Sequence, residues 1–268
     1  GPPSERKDIM GRIIAVNSNC YHGYSIEQAI DGIAAAGFRY IELTATKGWT
    51  EHVFPDQSFE KLCAVKDKMK ELDLVPFSMS GHCNLMDTGR IHDFVSNIRL
   101  AAFFGCGYIV SSIGEAHLAD QAVASNEVVA EHIRALVPEL EKYGLTLVLE
   151  THGDHGSGKI LKEIVDRVGS PRVGINYDTA NALFYGNVDL GADLDASMDA
   201  IRYMHLKDKG RKGMIASFGV TALCGVTEPA FYGSLIMRPR VLIGTAIGAV
   251  AGGLIGGIFT LKNYVLGG

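Results

Sequence analysis

The chain has 268 residues and a formal net charge of −5, a length that suits either one barrel of about 250 residues or two smaller domains. The charge is uneven: positions 1–210 carry 20 basic against 29 acidic residues, a charge of −9, so the main body repels a phosphate backbone and nucleic acid is disfavoured as a partner. The cysteines (Cys20, Cys63, Cys83, Cys106, Cys224) are odd in number and widely spaced with no two-residue-spaced pair, which argues against a disulfide framework or a zinc knuckle and suits a reducing compartment such as the cytoplasm.

Residues 1–10 form a polar N-terminal extension with no apolar core, unlike a secretion signal. From Arg12 to Asp208, short β-branched or apolar runs alternate with longer stretches of helical periodicity, the pattern of parallel strands joined by crossover helices. Seven runs are read as strands, at 13–17, 40–44, 75–80, 108–112, 146–150, 173–178 and 203–206. Ser25 with Glu27 and Gln28 opens the first helix; Ala29, Ile33 and Ala36 share its apolar face, and Gly37 stops it. The fourth places Val129, Ile133, Leu136 and Leu140 at three- and four-residue steps before Gly144.

This is an α/β pattern of the (β/α) barrel type, but only seven of eight units are recognisable, and a closed barrel needs an eighth to cover the edge between its first and last strands. In its place, residues 241–261 form an apolar, uncharged, Gly-rich run of about the length that crosses a bilayer as a helix. Gly244, Gly248, Gly252 and Gly256 put a small residue at every fourth position, which lets membrane helices approach closely. Arg238 and Arg240 at one end and Lys262 at the other suit the two interfaces; the competing reading is a buried Gly/Ala-rich helix or loop.

All nine histidines lie at or before His205. Reactive groups of parallel β/α folds gather at the carboxyl ends of strands, and three runs end on them: the fifth on Glu150, followed by Thr151, His152 and Gly153; the sixth on Asp178; the seventh on His205, followed by Leu206, Lys207 and Asp208. Alone, Glu150 reads equally as a strand-end salt bridge and Asp178 as a helix N-cap. Together with His205 they form a mixed oxygen and nitrogen donor set suited to one divalent ion, Mn²⁺, Mg²⁺, Co²⁺ or Zn²⁺. His152, His82 and Lys207 are candidate substrate contacts. Glu42 and His117 are weaker rim candidates, Trp49 a candidate apolar wall, and His22, His92, His132 and His155 are read as surface residues.

Residues 11–209 resemble the xylose isomerase-like barrel family of sugar and sugar-phosphate isomerases and epimerases. The likeness rests on the stretches 150–153, 176–186 and 203–208 and on Gly81, His82, Cys83, Asn84 and Leu85 after the third strand. It implies that Glu150, Asp178 and His205 bind one divalent metal, that Glu150 is also the catalytic base, and that a small sugar or sugar phosphate is the partner. A carboxylate would remove the proton α to a carbonyl, giving an enediolate. The family's glutamate ending strand eight, its fourth ligand and in epimerases the second base, has no counterpart, so the sequence points to isomerisation or one-sided exchange before inversion. The family's zinc-dependent apurinic endonucleases carry a richer histidine set; position 181 is Asn where they have a second histidine.

Residues 219–233, with Glu228 and Pro229, followed by Arg238 and Pro239, resemble the membrane permease component of phosphotransferase sugar transporters of the β-glucoside and sucrose type. A single span encloses no pathway, so transport is not implied. The expected organisation is therefore an extension at 1–10, a barrel at 11–210 and a permease-like fragment at 211–268, joined by a rearrangement near 209–214. Two readings result: a metal-dependent isomerase or epimerase that is cytoplasmic and membrane-associated through its tail, or a non-catalytic fusion remnant. A homo-oligomer is compatible with both.

Overall fold

The computed structural model describes residues 13–115 and 122–206, all within a unit that ends at Lys207. His117, Lys207, Asp208, Glu228 and the apolar run 241–261 lie outside the described residues. No helix among the described residues is long and apolar enough to cross a membrane.

The strands are β1 (Ala15–Asn17), β2 (Tyr40–Thr46), β3 (Thr50–Glu51), β4 (Val75–Ser80), β5 (Tyr108–Ser111), β6 (Thr146–Glu150), β7 (Val173–Asp178) and β8 (Ile201–His205). The helices are α1 (Ile26–Ala35), α2 (Phe59–Glu71), α3 (Thr88–Phe104), α4 (Asn126–Tyr143), α5 (Gly158–Val168), α6 (Thr179–Asn181) and α7 (Leu190–Ser197). Seven parallel strands stand in the order β1-β2-β4-β5-β6-β7-β8, each beside its successor, as successive β/α units require. The addition to the sequence reading is β3, two residues pairing antiparallel with the end of β2 and extending that strand to Thr46. Ile13 and Ile14 fall before the first strand, and the seventh parallel strand starts two residues earlier than its apolar run, at Ile201.

Helix boundaries follow local chemistry. Ser25 and Gln28 form a reciprocal capping box at the start of α1, which places Ile26, Ala29, Ile30 and Ile33 on its buried face. Val129, Ile133, Leu136 and Leu140 of α4 are all buried, and Gly144 ends that helix in the left-handed conformation at φ 69°.

Alternation along the strands builds the interior. Ile41 and Leu43 in β2, Leu147 and Leu149 in β6, and Ile175 and Tyr177 in β7 face the helices as one apolar core. Their alternates Glu42 and Thr44, Glu150, and Asn176 and Asp178 take the opposite face. These polar residues are also buried, so the inner face of the curled sheet is lined by groups that must satisfy one another.

Two register irregularities serve this interior. Between β2 and β4 the pairing passes from Ile41–Pro76 to Glu42–Ser78, and between β7 and β8 from Ile175–Ile201 to Asn176–Tyr203. Each gives one strand an extra residue, and a bulge of that kind re-aims the side chains beyond it. The result puts Ser78 beside Glu42 and His205 beside Asp178. The sheet curls until its last strand reaches its early ones: the Tyr203 hydroxyl lies 2.8 Å from Glu42 Oε2 and 2.7 Å from Ser78 Oγ.

Candidate metal centre and active site

Glu150, Asp178 and His205 end three adjacent strands, and one ligand atom from each lies within 4.8 Å of the other two. His205 Nδ1 is 3.5 Å from Glu150 Oε1 and 3.9 Å from Asp178 Oδ2. Both carboxylates are buried. Asp178 also caps α6, its Oδ1 accepting the Asn181 N–H at 2.8 Å, while Oδ2 faces His205.

Glu150 is held from two sides. Asn181 Nδ2 donates to Oε1 at 3.1 Å, and His82 Nε2 lies 3.1 Å from Oε2. The Ser112 N–H donates to His82 Nδ1 at 2.9 Å, which leaves the proton on Nε2, facing Glu150. Burial works to raise the Glu150 carboxyl, but the His82 imidazole and the hydrogen bonds of His205 and His82 outweigh it and hold the group well below the usual carboxylate range. Glu150 is therefore ionised at neutral pH, as a ligand and a base must be.

His205 lies between carboxylates. Its Nε2 is 2.9 Å from Glu42 Oε1, on the side of the ring away from Glu150 and Asp178, and the Asn176 side-chain amide lies 3.0 Å from Nδ1. Burial opposes a charge on this imidazole, yet Glu42 and then Glu150 carry it well above its ordinary range. Burial likewise opposes ionisation of Glu42, and the charge of His205, its hydrogen bond, and those of Ser78 and Tyr203 lower that carboxyl. Three buried carboxylates thus flank one imidazole, Glu42 at Nε2 and Glu150 and Asp178 at Nδ1. The donor set of two carboxylates and an imidazole, close together and shielded from solvent, fits a divalent ion.

Of the substrate contacts read from the sequence, His82 stands on Glu150, and His152 is half-buried with its ring 4.7 Å from that of Tyr185. Trp49 stacks on His22 at 4.2 Å, with its indole N–H donated to Asn19. His92 and His22 are exposed as read. His132 and His155 are half-buried, with His132 Nδ1 2.9 Å from the Leu85 carbonyl. His52, for which the sequence suggested no role, is buried between Ser18 and the Tyr24 carbonyl. Sequence reasoning left Glu42 as a rim candidate and missed Asn176, Ser78 and Tyr203. The local signal was a carboxylate within the second strand, between Ile41 and Leu43.

The xylose isomerase-like TIM barrel model matches residues 30–230. The chain belongs to the xylose isomerase-like TIM barrel family. The match runs past residue 210, where the sequence reading ends the barrel. Among solved structures of the same fold, a D-allulose 3-epimerase from Methylomonas sp. is 18% identical with a TM-score of 0.61, covering 79% of this chain and 80% of that one. The 3-keto-D-glucoside 4-epimerase of E. coli is 16% identical with a TM-score of 0.60, covering 79% and 88%. A xylose isomerase-like TIM barrel protein from Mycobacterium smegmatis, in complex with magnesium, is 16% identical with a TM-score of 0.59, covering 73% and 74%.

The C-terminal tail has a different likeness. Over 66 residues, 25% of this chain, it is 32% identical to the β-glucoside-specific EIIBCA component of the phosphotransferase system from Bacillus subtilis (strain 168). The chain covers 11% of that protein's length.

Proposed function

We propose that the barrel is a metal-dependent sugar or sugar-phosphate isomerase or epimerase that works by proton abstraction α to a carbonyl. The observation that carries this reading is the convergence of Glu150, Asp178 and His205 at the carboxyl ends of adjacent strands in a barrel of this family. Glu150, Asp178 and His205 would hold one ion of Mn²⁺, Mg²⁺, Co²⁺ or Zn²⁺. A bound ion supplies Lewis-acid stabilisation of the negative charge that develops on the substrate oxygens.

Glu150 is the base. Ionised, and with its two oxygens engaged by Asn181 and His82, it has a fixed orientation from which to take the α proton. His82 stabilises the anionic base before the transfer and keeps contact with the carboxyl after it. Returning the proton from the same carboxyl to the neighbouring carbon gives an isomer, whereas inversion at one carbon needs a donor on the opposite face. Glu42 is not that donor, because it lies across the His205 imidazole from Glu150 and Asp178, with Asn17, Ser78, Tyr203 and His205 crowding its two oxygens. Isomerisation or one-sided proton exchange is therefore the favoured outcome.

We assign residues 211–268 to a separate permease-like piece, joined to a cytoplasmic barrel spanning 11–210, with residues 241–261 as its membrane contact. The test is the thermal midpoint with and without Mn²⁺, for the protein and for Glu150→Gln. A ligand that binds only the folded state raises the midpoint by mass action, and the rise should vanish in the variant. A positive result is followed by solvent deuterium incorporation into ketoses. No rise in either protein would leave the non-catalytic remnant as the better account.

A further inference from the structure

We infer that Glu42 is a positioning residue that makes His205 a metal ligand through Nδ1, an inference that rests on the metal-dependent reading above. Glu42 lies across the imidazole from the proposed ligand carboxylates. Its Oε1 is 2.9 Å from His205 Nε2, and Nδ1 on the other edge faces Glu150 Oε1 and Asp178 Oδ2. A carboxylate on Nε2 keeps a proton there when Nδ1 takes an ion, the arrangement by which a partner carboxylate fixes a ligating histidine's tautomer and ring orientation; at Nδ1 the ion would replace the contact with the Asn176 amide at 3.0 Å.

Glu42 is itself held rigidly. Asn17 Nδ2 donates to Oε1 at 2.6 Å, and Ser78 Oγ and the Tyr203 hydroxyl each donate to Oε2 at 2.8 Å. These donors come from β1, β4 and β8, so a carboxylate in β2 ties the first strand of the sheet to its last. With Glu42 anchored in this way, the imidazole is set before any ion arrives. Among the described residues the candidate donor set is these three groups, so fixing the orientation of one matters more.

The test uses the full chain with ¹⁵N-labelled histidine and Zn²⁺ as a diamagnetic probe. In the wild-type protein, the His205 nitrogen shifts should show metal on Nδ1 and a slowly exchanging proton on Nε2; metal on Nε2 overturns the inference. In Glu42→Gln, which keeps the side-chain size, the Zn²⁺ dissociation constant read by chelator competition should rise about 10- to 100-fold. Tyr203→Phe removes one of the four groups that hold Glu42 and keeps the ring that packs edge-on against His205, so it should raise that constant by less than Glu42→Gln does. A folded Glu42→Gln protein that binds Zn²⁺ like wild type overturns the inference, as does an equal loss in Tyr203→Phe, which would make the network merely structural. Failure of the wild type to bind Zn²⁺ at all overturns the metal-dependent reading and this one with it.

Discussion

The two oxygens of Asp178 have different neighbours, and substitution can separate the observed cap from the proposed ligation. Oδ1 accepts the Asn181 N–H at the start of α6, while Oδ2 faces His205 Nδ1 at 3.9 Å. Asparagine retains a carbonyl oxygen for the cap and loses the charge the ion needs. Asp178→Asn should therefore abolish the Mn²⁺-dependent rise in stability while changing metal-free stability by less than about 1 kcal/mol. Asp178→Ala removes the cap as well, and should cost about 1 kcal/mol more. Urea midpoints with and without Mn²⁺ measure both effects. Retention of the metal-dependent rise in Asp178→Asn would remove Asp178 from the ligand set.

One element fixes the direction in which Asp178 points. Its neighbour Tyr177 is fully buried on the helix-facing side of β7 and donates its hydroxyl to Asp193 Oδ2 at 2.8 Å. Burial first, and then the Asp193 carboxylate, push this phenol above its ordinary range, so it remains a donor. The same carboxylate accepts the N–H groups of Gly158 at 2.8 Å and Lys159 at 3.1 Å, tying α7 to the start of α5. Asp193→Ala leaves three donors short of a partner, two of them buried, and should cost about 1–3 kcal/mol in urea unfolding. Gly158→Ala should also destabilise, because a β-carbon there would meet Ser197 and lie 3.0 Å from the Tyr177 ring. A change within about 0.5 kcal/mol in Asp193→Ala would show that the junction tolerates its loss.

Elements of this kind were partly legible in sequence. Ser25, Gln28, Gly37 and Gly144 mark helix ends through interactions within a few residues, so α1 and the end of α4 could be read directly. The cluster of Glu150, Asp178 and His205, the proposed ligands, could be picked out because strand ends are where such folds place reactive groups. Contacts such as Asp193 with Tyr177, or Glu42 with His205 across 163 positions, depend on bulges and helix docking that no local pattern records. The two-residue β3 escaped for another reason: Thr50–Glu51 is too short to show an alternation.

At the scale of the whole molecule, the site joins the beginning of the described chain to its end. Glu42 in β2 meets Tyr203 and His205 in β8, while Glu150 and Asp178 come from β6 and β7, so an ion held there would stabilise strands from both halves. At a hundred times its dissociation constant, Mn²⁺ should add about 2.7 kcal/mol to the folded state. For a domain of this size that raises the thermal midpoint by about 5–10 °C. Trp49 is the sole tryptophan of the chain and stacks on His22 beside β3, away from the ligands in sequence, so its fluorescence reports on the early strands alone. If the Glu42 bridge couples the two halves, the Trp49 transition and the far-UV circular dichroism transition should coincide and move together when Mn²⁺ is added. A Trp49 transition that stays in place while the dichroism shifts would mean that β1 to β3 unfold independently, and that Glu42 orients His205 without making the early strands share the stability the ion confers.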